Sequence, residues 1–182
     1  MNISSSPRLI ATVLLVAAVG SGTAAHSEVV DAQAGGFTVR ESATIAAGAD
    51  KIWDALAHPG RWWDPLHTYS HNSGNLTVVL EPGGSWQEAL PGGGVRHLQV
   101  INVQPGRQLR LEGALGPLQA FGVTGHLTLD LKGGAGGTNV TQTYDVGGHA
   151  PGGLDQLAVP VDKVLGEQLA RLKRFVETGR AE

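Results

Sequence analysis

Without one cysteine in 182 residues, any chemistry this chain performs must come from histidine, carboxylate, hydroxyl or the shape of a pocket. Thiolate metal sites, CxxC redox chemistry and a cysteine nucleophile are excluded. Among the seven histidines, His149 beside Gly147-Gly148 is the best single general base, and its rival reading is an ordinary solvated loop histidine. His67 and His71 are spaced so that both rings share a face only on a helix; His97 could add a third nitrogen. No HExxH or carboxylate-bearing motif accompanies them, so no metal is expected. No GxSxG elbow is present, and the Gly83-Gly84, Gly92 to Gly94 and Gly133 to Gly137 clusters match hairpin turns, not phosphate cradles. No cofactor is called for.

The remaining candidates are polar or aromatic side chains in phase with an apolar face. Val140, Gln142, Tyr144 and Val146 share one parity, which makes Gln142 and Tyr144 the first pocket candidates and gives Tyr144 a proton to move. Phe121, Val123, Leu127 and Leu129 would form the apolar wall, and Leu165 and Leu169 the facing surface of a helix. Trp62 and Trp63 are adjacent, so one can turn inward while the other borders an opening. Trp86 and Glu88 share a parity: inside, Glu88 would be a desolvated acid with a raised pKa, and outside it would be a solvated carboxylate, the commoner arrangement.

The elements that must position these residues are legible from the punctuation. Apolar residues make up 41% of the chain and the net charge is -3, which suits one domain with a real core and argues against a nucleic-acid binder. Arg8 followed by the apolar run Leu9 to Val19 and the small residues to Ala25 reads as a signal peptide, residues 1–25, cleaved after Ala25; the rival is a retained anchor. Removal takes away one base and no acid, leaving -4 and no stable membrane span. Cleavage there would make His26 the mature N-terminus, able to chelate copper if a second ligand were near. The expected location is therefore periplasmic or secreted.

Residues 26–36, ending in Gly35-Gly36, read as a flexible tether before a domain spanning 37–180. A strand from Phe37 to Ile45 precedes a short helix capped by Asp50 and a second short helix or turn over Arg61 to Leu66. Six strands follow: Leu76 to Leu80, Ser85 to Leu90, Val95 to Val103, Gln108 to Glu112, Phe121 to Leu131 and Thr138 to Val146. A long amphipathic helix through Leu157, Val161, Leu165, Leu169, Leu172 and Val176 closes at Gly179, with Pro160 kinking it or marking its start.

That order resembles the START/Bet v 1-like (SRPBCC) superfamily, in its branch of Hsp90-ATPase-activator-like and polyketide-cyclase-like proteins. Ala43-Thr44-Ile45 with Ala49 to Leu56, Arg61-Trp62-Trp63, Leu80 to Trp86, Val100 to Pro105 and Gly166 to Phe175 carry the resemblance, which covers about Phe37 to Thr178. It implies an α+β helix-grip fold, a curved antiparallel sheet of about seven strands wrapped on a long C-terminal helix. It also implies an internal cavity for a small hydrophobic molecule, which Gln142, Tyr144 and His97 would orient. The alternatives are a polyketide cyclase/dehydratase-like enzyme using His149, Glu88 or Tyr144, and a chaperone-activator-like interaction module. The chain is expected to be a monomer or weak dimer.

Overall fold

A computed structural model describes Met1 and residues 26–182; the expected signal segment lies outside the described residues. Eight antiparallel strands form one sheet: β1 His26–Gln33, β2 Gly36–Ile45, β3 Leu76–Val78, β4 Ser85–Leu90, β5 Gly93–Gln104, β6 Gln108–Glu112, β7 Gly122–Gly134 and β8 Gly137–His149. Their order across the sheet is β1-β2-β8-β7-β6-β5-β4-β3, so the meander from β3 to β8 returns to lie beside β2. Helix α1, Ala49–Leu56, follows β2, and helix α2, Asp155–Thr178, follows β8 and lies against β2 and β1. This is the α+β helix-grip architecture, with eight strands where about seven were expected.

The eighth strand corrects one expectation. Residues 26–36 do not form a tether: His26 pairs with Ser42 and Gln33 with Gly36 in a hairpin. Only Val29 in β1 is even partly buried, so the strand lacks the apolar alternation that advertises one. It survives by backbone pairing and by contact with α2, and its bulge at Val30 disrupts the open edge against further pairing. Two smaller corrections follow. Gly48, not Asp50, caps α1, and Asp50 sits in its first turn. Arg61 to Leu66 spans two short 3-10 turns, Pro59–Arg61 and Pro65–His67, the second capped by the Asp64 side chain accepting from Leu66 N–H.

Burial follows strand parity. Phe37, Val39, Glu41, Ala43 and Ile45 of β2, Leu127, Leu129 and Leu131 of β7, and Val140, Gln142, Tyr144 and Val146 of β8 are all buried on the face that α2 covers. From α2 come Ala158, Leu165, Gln168, Leu169, Leu172 and Val176, at the 3–4 residue spacing of one helical face. Removing one of these leucines would leave a void, costing about 2–5 kcal/mol. Gly125 of β7 leaves room for the Tyr144 ring, since a Cβ there would stand 2.6 Å from Tyr144 Cε2.

The two halves of α2 are held differently. Its C-terminal half is bolted down: Arg171 Nε donates to the Trp62 carbonyl at 2.9 Å, Lys173 Nζ to the Thr44 carbonyl, and Glu177 accepts from Ala46 N–H at 2.8 Å. Gly179, at φ 80°, closes the helix. The N-terminal half carries Pro160 inside the helix, which removes one rung of backbone hydrogen bonding. Its ties are Ser27 Oγ to Asp162 at 2.7 Å, a 3.4 Å bond from Gln142 to the Leu165 carbonyl and, at the N-cap, Leu154 N–H donating to the Ala34 carbonyl at 3.0 Å.

Candidate functional site

Beneath α2 the sheet places a carboxyl where five alternating positions are otherwise apolar. Glu41 of β2 lies directly opposite Gln142 of β8, and both are buried, at 1% and 4% exposure. Gln142 Nε2 donates to Glu41 Oε2 at 3.0 Å and also to the Leu165 carbonyl; both partners are acceptors, which fixes the orientation of the amide. Glu41 Oε1 has no partner. Burial pushes the Glu41 carboxyl up to about 8, against the Gln142 hydrogen bond that favours the ionised form, and the charge of Asp162 on α2 raises it further. At neutral pH this acid is mostly protonated. Gly166 lets the helix come this close: a Cβ there would meet Ser27 Oγ at 3.2 Å and Glu41 Cγ at 3.9 Å.

Tyr144, expected in the pocket, is fully buried and holds the connection between β6 and β7. Leu115 N–H donates to its hydroxyl at 3.0 Å, and the hydroxyl donates to the Gly113 carbonyl at 2.9 Å. Burial pushes the phenol up to about 12, so it remains a neutral strut. The same connection is tied down by Tyr69 Oη donating to the Gly116 carbonyl and by Gln119 Nε2 donating to the Arg96 carbonyl, while Leu118 is buried beneath it.

A second polar cluster lies at the β4–β5 side of the sheet. Glu88 faces inward with Trp86, at 1% exposure, which corrects the expectation of a solvated carboxylate. Its shift is also opposite to that foreseen for an inward Glu88. Burial alone would raise the carboxyl, but donors from Ser70, Tyr69 N–H and His97 together outweigh it and hold it below its ordinary value. His97 reaches it because β5 bulges there: Leu98 pairs with Trp86 and Arg96 with Gln87, leaving His97 as the extra residue. Its Nε2 meets Glu88 Oε2 at 3.0 Å, and because an ionised carboxylate can only accept, the proton sits on Nε2. The Tyr69 ring lies over the imidazole, centroids 5.8 Å apart.

Trp62, Trp63 and Trp86 are all buried and pack on one another at centroid distances of 5.1–6.3 Å, with Trp63 also bordering a surface cleft. Phe121 and Val123 are half-buried at the edge of the core, while Leu127, Leu129, Leu165 and Leu169 are fully inside it. His149 is exposed at the end of β8, opposite Gly122. His67 Nδ1 accepts from Gln168 Nε2 at 2.9 Å, His71 is exposed, and no group of three metal-ligating side chains forms among the described residues. His26 lies exposed at the start of β1.

The expected open chamber between α2 and the sheet is closed by side chains. Tyr144, Leu127, Leu165, Leu169 and Leu172 fill that space, each at most 1% exposed. Two clefts of about 530 Å³ indent the described residues elsewhere. One runs along Ala46–Ala49 and Gly133–Thr138, the other along Arg61, Trp63, Arg171 and Arg180. A guest in the interior would have to displace packing.

Reasoning from sequence missed Glu41 and Gln168. Both carried a signal: a charge at an inner parity of β2, and an amide on the apolar stripe of α2. Gln168 is fully buried, its Oε1 accepting from Asp64 N–H at 2.9 Å while its Nε2 serves His67.

A sheet gripping one long helix over an apolar interior with a few buried polar groups defines a helix-grip domain. Residues 36–177 match the model of the polyketide cyclase/dehydrase and lipid transport family, and the chain belongs to that family, within the polyketide-cyclase-like branch of the SRPBCC superfamily. Family and fold suggest a hydrophobic-ligand-binding or cyclase role. No curated protein matches by sequence. Among solved structures, the chain is similar to a conserved protein of unknown function from Enterococcus faecalis (16% identity, TM-score 0.57, covering 81% of this chain and 75% of that one). It is also similar to the Aha1 dimer from Colwellia psychrerythraea (17%, 0.56, 78% and 97%) and to CalU16 from Micromonospora echinospora (18%, 0.52, 84% and 81%). At these identities the likeness is one of fold. No helix among the described residues is long and apolar enough to cross a membrane.

Proposed function

We propose that this chain is an exported protein that holds a small hydrophobic molecule between α2 and the sheet, with Glu41 and Gln142 as the polar anchor. The observation that carries this reading is Glu41 Oε1, a buried polar atom without a partner in an interior whose polar groups are few. Leaving such a group unpaired costs about 1–3 kcal/mol, and a ligand that pairs it recovers that free energy. Burial of the ligand's apolar surface supplies the rest of the affinity. Access runs through the N-terminal half of α2, whose backbone hydrogen bonding Pro160 interrupts. Cleavage after Ala25 would leave β1 whole, with His26 still opposite Ser42.

Native mass spectrometry of the protein purified from the periplasm or medium tests both parts. The expected spectrum shows a chain beginning at His26 and carrying co-purified apolar molecules. Unliganded masses after exposure to lipid and metabolite extracts would overturn the binding reading, and an intact N-terminus would overturn cleavage.

A second reading is favoured by the Glu88–His97 pair. With its proton held on Nε2 by Glu88, His97 presents Nδ1 as an acceptor, the arrangement that suits a general base in a cyclase-like enzyme. The half-exposed Tyr69 ring over the imidazole and the connection strapped by Tyr69 and Tyr144 would have to open for a substrate to reach it.

A further inference from the structure

The choice of hydrogen-bond partners at Glu41 narrows the chemistry of the guest, and this step rests on the ligand-binding reading above. Gln142 Nε2 is a donor held in place by two acceptors, so Glu41 Oε2 is the accepting oxygen of the carboxyl. The proton of the neutral acid therefore belongs to Oε1, the oxygen that meets no acceptor. Burial and the negative charge of Asp162 both favour that neutral form. No neighbouring acceptor lies within hydrogen-bond reach of it: Ser27 Oγ donates to Asp162 at 2.7 Å and the Leu165 carbonyl accepts from Gln142, and neither meets Oε1. An O–H donor with no acceptor, buried on a strand face whose neighbouring inward positions are Val39 and Ala43, calls for an acceptor brought from outside.

We infer that Glu41 is a ligand-binding residue that donates through Oε1 to an acceptor oxygen, of the ketone or ester type, on an otherwise apolar molecule. An ammonium guest has no acceptor to offer and would pair only by ionising Glu41 in its buried setting, and a carboxylate guest would add a negative charge beside Asp162. A pure hydrocarbon would leave the donor unpaired. The site thus selects a neutral, oxygen-bearing apolar molecule over charged ones of the same shape.

The test compares 2-nonanone with its isostere 2-methyl-1-nonene, in which a methylene group replaces the carbonyl oxygen. Affinities for both are measured by NMR titration of the native chain and of Glu41→Leu and Glu41→Gln. The alkene is the more apolar probe, so the informative quantity is how the ketone-to-alkene affinity ratio changes between proteins. In Glu41→Leu the ratio should fall about tenfold or more, because the donor is gone. Glu41→Gln retains an N–H donor at that place and should keep the native ratio within about threefold. The same ratio in all three proteins would overturn the assignment of Glu41 while leaving ligand binding intact. Failure of both probes to bind the native chain would overturn both readings.

Should Glu41→Leu fail to fold, the infrared band of carbonyl-labelled 2-nonanone in the native protein decides alone. A band moved to lower frequency from its position in hydrocarbon solvent supports the donor. An unmoved band, or an ordered water keeping Oε1 while the ketone binds elsewhere, overturns it.

Discussion

Glu41 and Gln142 stand directly opposite each other on neighbouring strands, joined by a 3.0 Å hydrogen bond that satisfies one carboxyl oxygen and leaves the other without a partner. Across a β2–β8 pair otherwise built for apolar packing, this is the point where the fold retains a titratable group at the expense of stability. The consequences of that burial can be measured without knowing any ligand.

The pH dependence follows from the direction of the shift. Unfolded, Glu41 has its ordinary pKa of 4.5; folded, burial raises it to about 8. Between those values the native state binds the proton that the unfolded state has released, so stability falls as pH rises through that window and levels off above about 8. Chemical denaturation from pH 5 to 9 should show this decline in the native chain and a flatter profile in Glu41→Gln. Parallel profiles would show that Glu41 is not the group responsible.

Glu88 behaves in the opposite sense. Its donors hold the folded carboxyl below 4.5, so its contribution to stability is present above that pH and is lost as pH falls through the lowered value. Glu88→Gln presents an amide N–H₂ to Tyr69 N–H, Ser70 N–H or His97, and should cost about 1–3 kcal/mol at pH 7 in denaturant unfolding. A variant as stable as the native chain would mean these donors find water instead.

Tyr144 ties two segments through one hydroxyl. Tyr144→Phe keeps the ring against Gly125 but removes the bonds to Leu115 and Gly113, at a cost of about 0.5–1.5 kcal/mol for a typical bond. Hydrogen exchange should accelerate in residues 113–121 before it does in β7 or β8. Unchanged exchange there would show that Tyr69, Gln119 and Leu118 suffice to hold the strap.

Gln168 is the buried bridge from α2 to the turn that carries Trp62 and Trp63. Gln168→Leu fits the apolar stripe by shape but leaves Asp64 N–H and His67 Nδ1 unpaired, and should destabilise by about 1–3 kcal/mol. A melting temperature equal to that of the native chain would show that both partners reach water instead.

The parity of the strands was readable because β2, β7 and β8 each have one dry and one wet face; Leu127, Leu129, Gln142 and Tyr144 fall inside as their alternation requires. β1 was not readable, since an edge strand with only Val29 partly buried has no alternation to display. Glu88 went to the wrong face because carboxylates usually stay in water, and the donors that reverse this preference include the Tyr69 and Ser70 backbone and a histidine brought in by a bulge. No sequence pattern announces a bulge with an ordinary residue at its centre. Likewise, the resemblance implied a chamber, but whether side chains fill it depends on rotamers and helix depth, which parity does not determine.

The most direct measurement of the central claim is a ¹H–¹⁵N NMR titration of the described domain with 2-nonanone. Interior binding predicts shifts at the amides of Glu41, Gln142 and Leu165 and along the N-terminal half of α2. Shifts confined to the surface cleft of Ala46–Ala49 and Gly133–Thr138, with the β2–β8–α2 interface undisturbed, would contradict it.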